Sequence, residues 1–133
     1  MVDYKLLNYA DDNGRARPGL AVGENVIDLQ SAVEIYEKKG AVAGFSPSTT
    51  LSVLEDWDAA EPVLEAIAEA GEGVTRTLDK TKLMAPLLYP NAIFNAAANY
   101  ADHHTEMGNA DPIDKTTAKP YFFLKSPAHT VIG

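Results

Sequence analysis

The chain has 133 residues and a formal net charge of −8, and phosphate binding needs lysine and arginine, so an acidic balance argues against a nucleic-acid surface. It contains no cysteine, which excludes disulfides, thiolate chemistry and a cysteine-based zinc site. With 46% hydrophobic and 23% charged residues it reads as a soluble globular protein, large enough for one modest domain or for part of a larger one. No run approaches membrane-spanning length, and Met1 to Tyr9 lacks the apolar core of a signal peptide. A cytoplasmic protein with no membrane and no nucleic-acid partner is expected.

Val2 to Ala10 and Ala16 to Val22 read as strands, joined by a turn with an Asn13-Gly14 core. Gly23-Glu24-Asn25 turns into Val26 to Leu29, giving a three-stranded meander. Ser31 and Glu34 form an S-x-x-E capping box for a short helix, with Val33 and Tyr36 on its buried side and Gly40 as its stop. Ala41 to Thr50 is loop, rich in Gly, Ser and Pro. Leu51, Leu54 and Trp57 mark a short amphipathic helix. Ala59 to Ala70 is a longer one, with Asp58 as its N-cap. Its apolar stripe is Ala60, Val63, Leu64, Ile67 and Ala68, while Glu61, Glu65 and Glu69 form a solvated face. Asp56 and Asp58 read as helix-end charge and not as a metal pair.

Val74 to Met84 is polar and β-prone, a strand leading into the next domain. Pro86 and Pro90 break any helix, and Ala92 to Ala97 is an apolar run read as a buried strand. A helix follows, capped by Asn99, carrying Asp102 in its first turn and ending at Gly108 and Asn109. Ala110 to Lys119 is a polar loop, and Tyr121 to Lys125 a strand. The order of elements predicts an α/β (α+β) chain. Residues 1–80 form a small N-terminal domain of β-meander plus short helices, and residues 81–133 begin a second, β-rich domain.

Asn99 to Gly108, N-Y-A-D-H-H-T-E-M-G, packs an Asp, two His and a Glu into five residues. On a helix, His103 and Glu106 are three apart and share a face. A histidine held by a carboxylate makes a general base that works near neutral pH. On spacing alone the pair reads more readily as incidental neighbours on a surface helix. His104 faces another side and is expected at the surface, and His129 is structural or exposed. Tyr100 either touches substrate or packs its ring in the core. Lys125 is either a strand-end lysine in water or a cation that holds a carboxylate or enolate.

Three segments occur together and in order: A-P-x-x-x-P-N-A-I from Ala85 to Ile93, N-Y-A-D-H-x-x-E-M-G from Asn99, and P-x-F-F-L-K from Pro120 to Lys125. In this the chain resembles the fumarylacetoacetate hydrolase superfamily, from about Lys82 to Gly133. Tyr4 to Leu29 also looks like that family's small N-terminal β domain. The resemblance implies a β-rich barrel-like domain beginning after residue 80. It implies His103 as base, Glu106 as the group that orients it, and Lys125 and Tyr100 as substrate contacts. Asp102 is either a metal partner or a first-turn acid with a structural role. The implied cofactor is Mg²⁺ or Mn²⁺, and the implied substrate a β-diketo acid or related 2-oxo acid whose C–C bond is hydrolysed. Relatives decarboxylate or isomerise through the same enolate, and the family analogy suggests a homodimer.

One element of the family pattern is missing. Its metal is held mainly by an E-x-E pair and a later Asp, but the chain has no E-x-E and no Glu after Glu106. The apolar ending at Thr130 to Gly133 reads like a domain interior. The expectation is therefore an N-terminal portion of an enzyme, inactive alone, partnered by its C-terminal remainder. Two other classes stay open. One is a binding module for a small acid, and the other a subunit of a split enzyme.

Overall fold

Alternation along residues 5–28 folds as a meander. The computed structural model describes residues 2–97, 100–108, 114, 116–117, 119 and 121–127. β1 (Lys5–Ala10), β2 (Ala16–Val22) and β3 (Asn25–Asp28) pair antiparallel in sequence order, with Leu6 opposite Leu20 and Leu20 opposite Ile27. Successive side chains in a strand point to opposite faces. Register therefore puts Leu6, Leu20 and Ile27 in one row on one face, and Tyr9, Arg17 and Asp28 on the other. Pro18 has no N–H to give. It lies just outside Gly19–Ala21, the stretch of β2 that pairs on both edges. The Asp11 carboxylate shapes the β1–β2 turn by accepting from the backbone N–H groups of Asn13 and Arg15.

The apolar row is covered by three helices: α1 (Leu29–Lys38), α2 (Thr50–Glu55) and α3 (Trp57–Ala70). Leu20, Ile27, Leu29, Val33, Val53 and Leu64 meet there, out of water. Burying each large aliphatic side chain contributes roughly 1.5–3 kcal/mol. The α3 stripe is the expected one: Ala60, Val63, Leu64, Ile67 and Ala68 are all buried.

The caps differ from expectation. α1 starts before Ser31, because Asp28 is its N-cap and accepts from the Ser31 N–H at 2.8 Å. Ser31 then sits inside the first turn, where its hydroxyl donates to the Asp28 carbonyl and accepts from the Val74 N–H. α2 carries the capping box instead, Thr49 with Ser52, and it buries Thr50 and Val53 while Leu54 is exposed. Asp56, not Asp58, holds the α3 cap position, and it makes no side-chain cap bond.

Residues 74–84 do not lead away from the first domain. β4 (Thr75–Thr77) pairs antiparallel with β3 as a fourth strand, and a 3-10 turn follows at Leu78–Lys80. Gly73 makes the approach possible. Its φ is +130°, and a Cβ there would lie 2.9 Å from Ile27 Cγ2 and 3.2 Å from Ala32 Cβ. On the opposite edge Leu83 bridges Tyr9, the Ala10 N–H donates to the Lys82 carbonyl, and the Met84 N–H donates to the Asn8 carbonyl. The buried Asn8 amide donates to Thr50 Oγ1 and to the Ala85 and Pro86 carbonyls. These bonds carry the first compact unit past residue 80 to Leu88, and the second begins at Tyr89.

The second unit contains β5 (Ile93–Ala96), α4 (Ala101–Glu106) and β6 (Phe122–Lys125). β5 and β6 form an antiparallel pair, with Ile93 opposite Lys125 and Ala96 opposite Phe122. β5 was expected to be buried and is not: Phe94 is 70% exposed, and all four residues of β6 are exposed. Two strands cannot cover both of their own faces, so an apolar run here has no second layer among the described residues. The architecture is α+β, mixed helices and antiparallel sheets. Among the described residues no helix is long and apolar enough to cross a membrane.

Candidate functional site

β5 delivers the chain to the acidic and histidine-rich segment, and α4 carries it. Tyr100 is at the helix N-cap with extended backbone (φ −109°, ψ 139°), and its carbonyl accepts from the His104 N–H. Asn99, the expected cap, lies outside the described residues. Asp102 is in the first turn, where a carboxylate suits the positive end of the helix. Met107 and Gly108 close the helix by donating to the His103 and Thr105 carbonyls.

His103 and Glu106 are both exposed, one turn apart on α4. No hydrogen bond or ion pair joins them among the described residues. His104 contradicts its expected surface position. It is half-buried, and its Nδ1 is shielded from water without a hydrogen-bond partner among the described residues. The helical turn rotates consecutive residues by about 100°, so one imidazole turns out as its neighbour turns in. Tyr100 is 73% exposed, so its ring does not pack in a core. Lys125 ends β6, exposed, with its Nζ 6.0 Å from the centre of the Phe123 ring. Strand pairing thus brings the F-F-L-K segment against the strand that leads into the histidine segment. His129 lies outside the described residues.

Among the described residues no three His, Asp or Glu side chains come together to hold a metal ion. Asp102 offers one carboxylate, and Mg²⁺ takes six oxygen ligands. The described residues therefore do not fit a metal centre by themselves. In the loop after α4, the Asp114 carboxylate accepts from the Thr116 N–H and hydroxyl and from the Thr117 hydroxyl. The Thr116 bonds hold its carboxyl below the usual range.

The first unit holds a second polar cluster that sequence reasoning missed. Asp28 is buried and saturated: Oδ2 accepts from the Tyr9 hydroxyl at 2.5 Å and from Arg17 Nε at 2.7 Å, and Oδ1 from Arg17 Nη2 and the Ser31 N–H, both at 2.8 Å. Burial alone would raise the Asp28 carboxyl, but the bonds from Arg17, Tyr9 and Ser31 outweigh it and hold it below the usual range. The bond to Asp28 raises Arg17. Burial first, then the bond to Asp28, pushes the Tyr9 phenol up to about 12. Gly19 lets this assemble, since a Cβ there would meet Val26 Cγ1 at 2.9 Å and the Tyr9 ring at 3.2 Å. The Arg76 guanidinium lies 5.4 Å from the centre of the Tyr9 ring and binds Asp12. Asp28 ahead of Leu29-Gln30-Ser31 was the available signal, an N-cap residue before an apolar run.

Comparison with protein-family models finds no match to the chain, and comparison with curated proteins finds none either.

Proposed function

We propose that the chain is part of a fumarylacetoacetate hydrolase-type enzyme of the cytoplasm that hydrolyses a C–C bond in a β-diketo acid or related 2-oxo acid. One observation carries the reading. The segments Tyr100 to Glu106 and Phe122 to Lys125 fall in one compact unit, and the strand that precedes the first pairs with the strand of the second. The exposure of His103, Glu106, Tyr100 and Lys125 supports it too, since groups that meet substrate must be reachable.

In this reading His103 takes a proton from water, and Glu106 stabilises the imidazolium that forms. The hydroxide adds to the substrate carbonyl carbon. The C–C bond breaks, and its electron pair leaves as the enolate of the departing fragment, which then takes up a proton. Lys125 offsets the enolate or carboxylate charge, and Tyr100 contacts the substrate. Mg²⁺ or Mn²⁺ is the proposed cofactor, with Asp102 as the ligand this chain contributes. The proton and bond movements above involve His103, Glu106 and Lys125 alone.

A second reading, a small-acid binding module or the subunit of a split enzyme, draws on the lack of a bond between His103 and Glu106 among the described residues. The discriminating experiment is turnover of an acylpyruvate by the protein as purified from its source, with Mg²⁺ added, followed by loss of diketo-acid absorbance. His103→Ala should cut kcat by roughly 10²–10⁴-fold, the range for removing a general base, with circular dichroism unchanged. Saturable acid binding that ignores Mg²⁺, without turnover, would establish the second reading instead.

A further inference from the structure

The β1–β2 turn carries Asn13-Gly14, the one place in the chain where an asparagine is followed by glycine. Both residues are exposed. They lie in the first unit, apart from every residue proposed for the chemistry above and independent of that reading. The Asn13 side-chain amide makes no hydrogen bond among the described residues, whereas the amide of buried Asn8 donates to Thr50 Oγ1 and to the Ala85 and Pro86 carbonyls. Gly14 has a φ of +77°, and nothing lies within 4 Å of where a Cβ would stand on it.

An asparagine side chain holds its carbonyl carbon, Cγ, where the backbone nitrogen of the next residue can close a five-membered ring on it. A Cβ on that next residue crowds the attack and restricts the rotation that brings it about, and glycine has none. Every other asparagine in the chain precedes Ala, Val or Tyr. One contact opposes the reaction: the Gly14 N–H donates to the Asp11 carbonyl at 2.9 Å. That bond must open before the Gly14 nitrogen can turn towards Cγ. It closes an exposed hairpin tip, where local opening costs least.

We propose that Asn13 is a site of spontaneous deamidation, converted through a cyclic imide with Gly14 into aspartate and isoaspartate. The Gly14 nitrogen gives its proton to hydroxide and attacks Asn13 Cγ. The Cγ–Nδ2 bond breaks, and the nitrogen takes a proton from water and leaves as ammonia. Water then adds to either carbonyl carbon of the imide. Breaking the bond from Gly14 nitrogen to Cγ gives aspartate, and breaking the main-chain bond gives isoaspartate. Water is the net co-reactant, and the hydroxide is regenerated. Either product adds a negative charge beside Asp11 and Asp12. Isoaspartate also lengthens the main chain by one carbon, inside a turn closed by bonds from the Gly14 N–H to the Asp11 carbonyl and from the Asp11 N–H to the Arg15 carbonyl.

The test is incubation of the folded full chain in mildly alkaline buffer made with heavy-oxygen water, followed by tryptic digestion and fragmentation mass spectrometry. Trypsin cuts after Lys5 and Arg15, so the peptide from Leu6 to Arg15 carries Asn13 together with the buried Asn8 as an internal control. Heavy oxygen should enter at Asn13 and not at Asn8, with isoaspartate among the products. The rate should rise in proportion to hydroxide, and should be faster in the chain unfolded by guanidinium chloride, where the Asp11 bond is gone. Asn13→Gln should lose the conversion, since glutamine would need a larger ring, and it leaves Gly14 in the turn. A folded chain still unconverted at Asn13 when the unfolded chain has reacted fully overturns the proposal. So does conversion at Asn13 no faster than at Asn25, which is exposed too but precedes Val26.

Discussion

The two compact units use their apolar residues in opposite ways. In the first, Leu20, Leu29, Val53 and Leu64 are shut away between a four-stranded sheet and three helices. In the second, Phe94, Tyr121, Phe122 and Leu124 are exposed on or beside a two-stranded sheet. Period explains the first: alternation in the strands and a 3.6-residue stripe in α3 each aim apolar side chains at one shared space. The second is apolar without a layer to bury it among the described residues. What makes it conspicuous in sequence is the titratable run from Asp102 to Glu106, a cluster of polar side chains on a short, exposed helix.

The contrast predicts a steep difference in mutational cost. Leu64→Ala, at a side chain with no exposed surface, should destabilise by about 2–5 kcal/mol, the range for emptying a core position. Urea unfolding of the variant checks it, and a loss under 1 kcal/mol would put Leu64 outside any core.

Asp28→Asn should cost about 3 kcal/mol at pH 7, the low end for breaking a buried pair, because Arg17 keeps contact with water. The pH dependence has a definite sign. A carboxyl held below its ordinary value of about 3.9 stabilises the fold above that pH, and the contribution disappears as pH falls through the depressed value. The variant's stability should therefore fall less than the wild type's below about pH 4. Parallel acid limbs would contradict the role of Asp28.

Tyr9 tests the same network from the alkaline side. Its phenol is pushed up to about 12. A raised value favours the neutral form in the fold, so the contribution is complete below about pH 10, the ordinary value, and is lost as pH rises through the folded value. At roughly 1.4 kcal/mol per unit, wild type should lose about 2 kcal/mol more than Tyr9→Phe between pH 9 and 12. Urea midpoints at the two pH values measure the difference.

The smallest effects belong to the second unit. Phe94→Ser and Phe122→Ser should each change stability by no more than about 0.5 kcal/mol, as exposed substitutions do. A loss above 2 kcal/mol at either would erase the contrast by showing that the β5–β6 faces are covered.

Local signals were legible where one segment contained both the signal and its reason. The α3 stripe, the Asn13-Gly14 turn and the order of the first three strands each depend on residues close in sequence. The same holds for the placement of Asp102, His103 and Glu106 on one short helix. Caps were less legible, because several acceptors compete for the same N–H groups. Asp28 outcompeted Ser31, whose hydroxyl serves Asp28 and Val74 from within the turn.

Long-range decisions were not legible at all. Residues 74–86 carry no pattern that points back to β1 and β3. They join the first sheet because Gly73 allows close approach to Ile27, and because the Asn8 and Thr50 side chains hold the Ala85 and Pro86 carbonyls. Which imidazole turns inward, whether Phe94 is covered, and whether Arg17, Asp28 and Tyr9 meet depend on partners at sequence distances no period encodes. The sequence by itself determined most of the elements and which titratable side chains share them, since helix and strand periods and motif spacings are local. Only the tertiary structure decided which faces are buried and which charges pair, since burial and desolvation depend on what packs against a group and not on its neighbours in the chain.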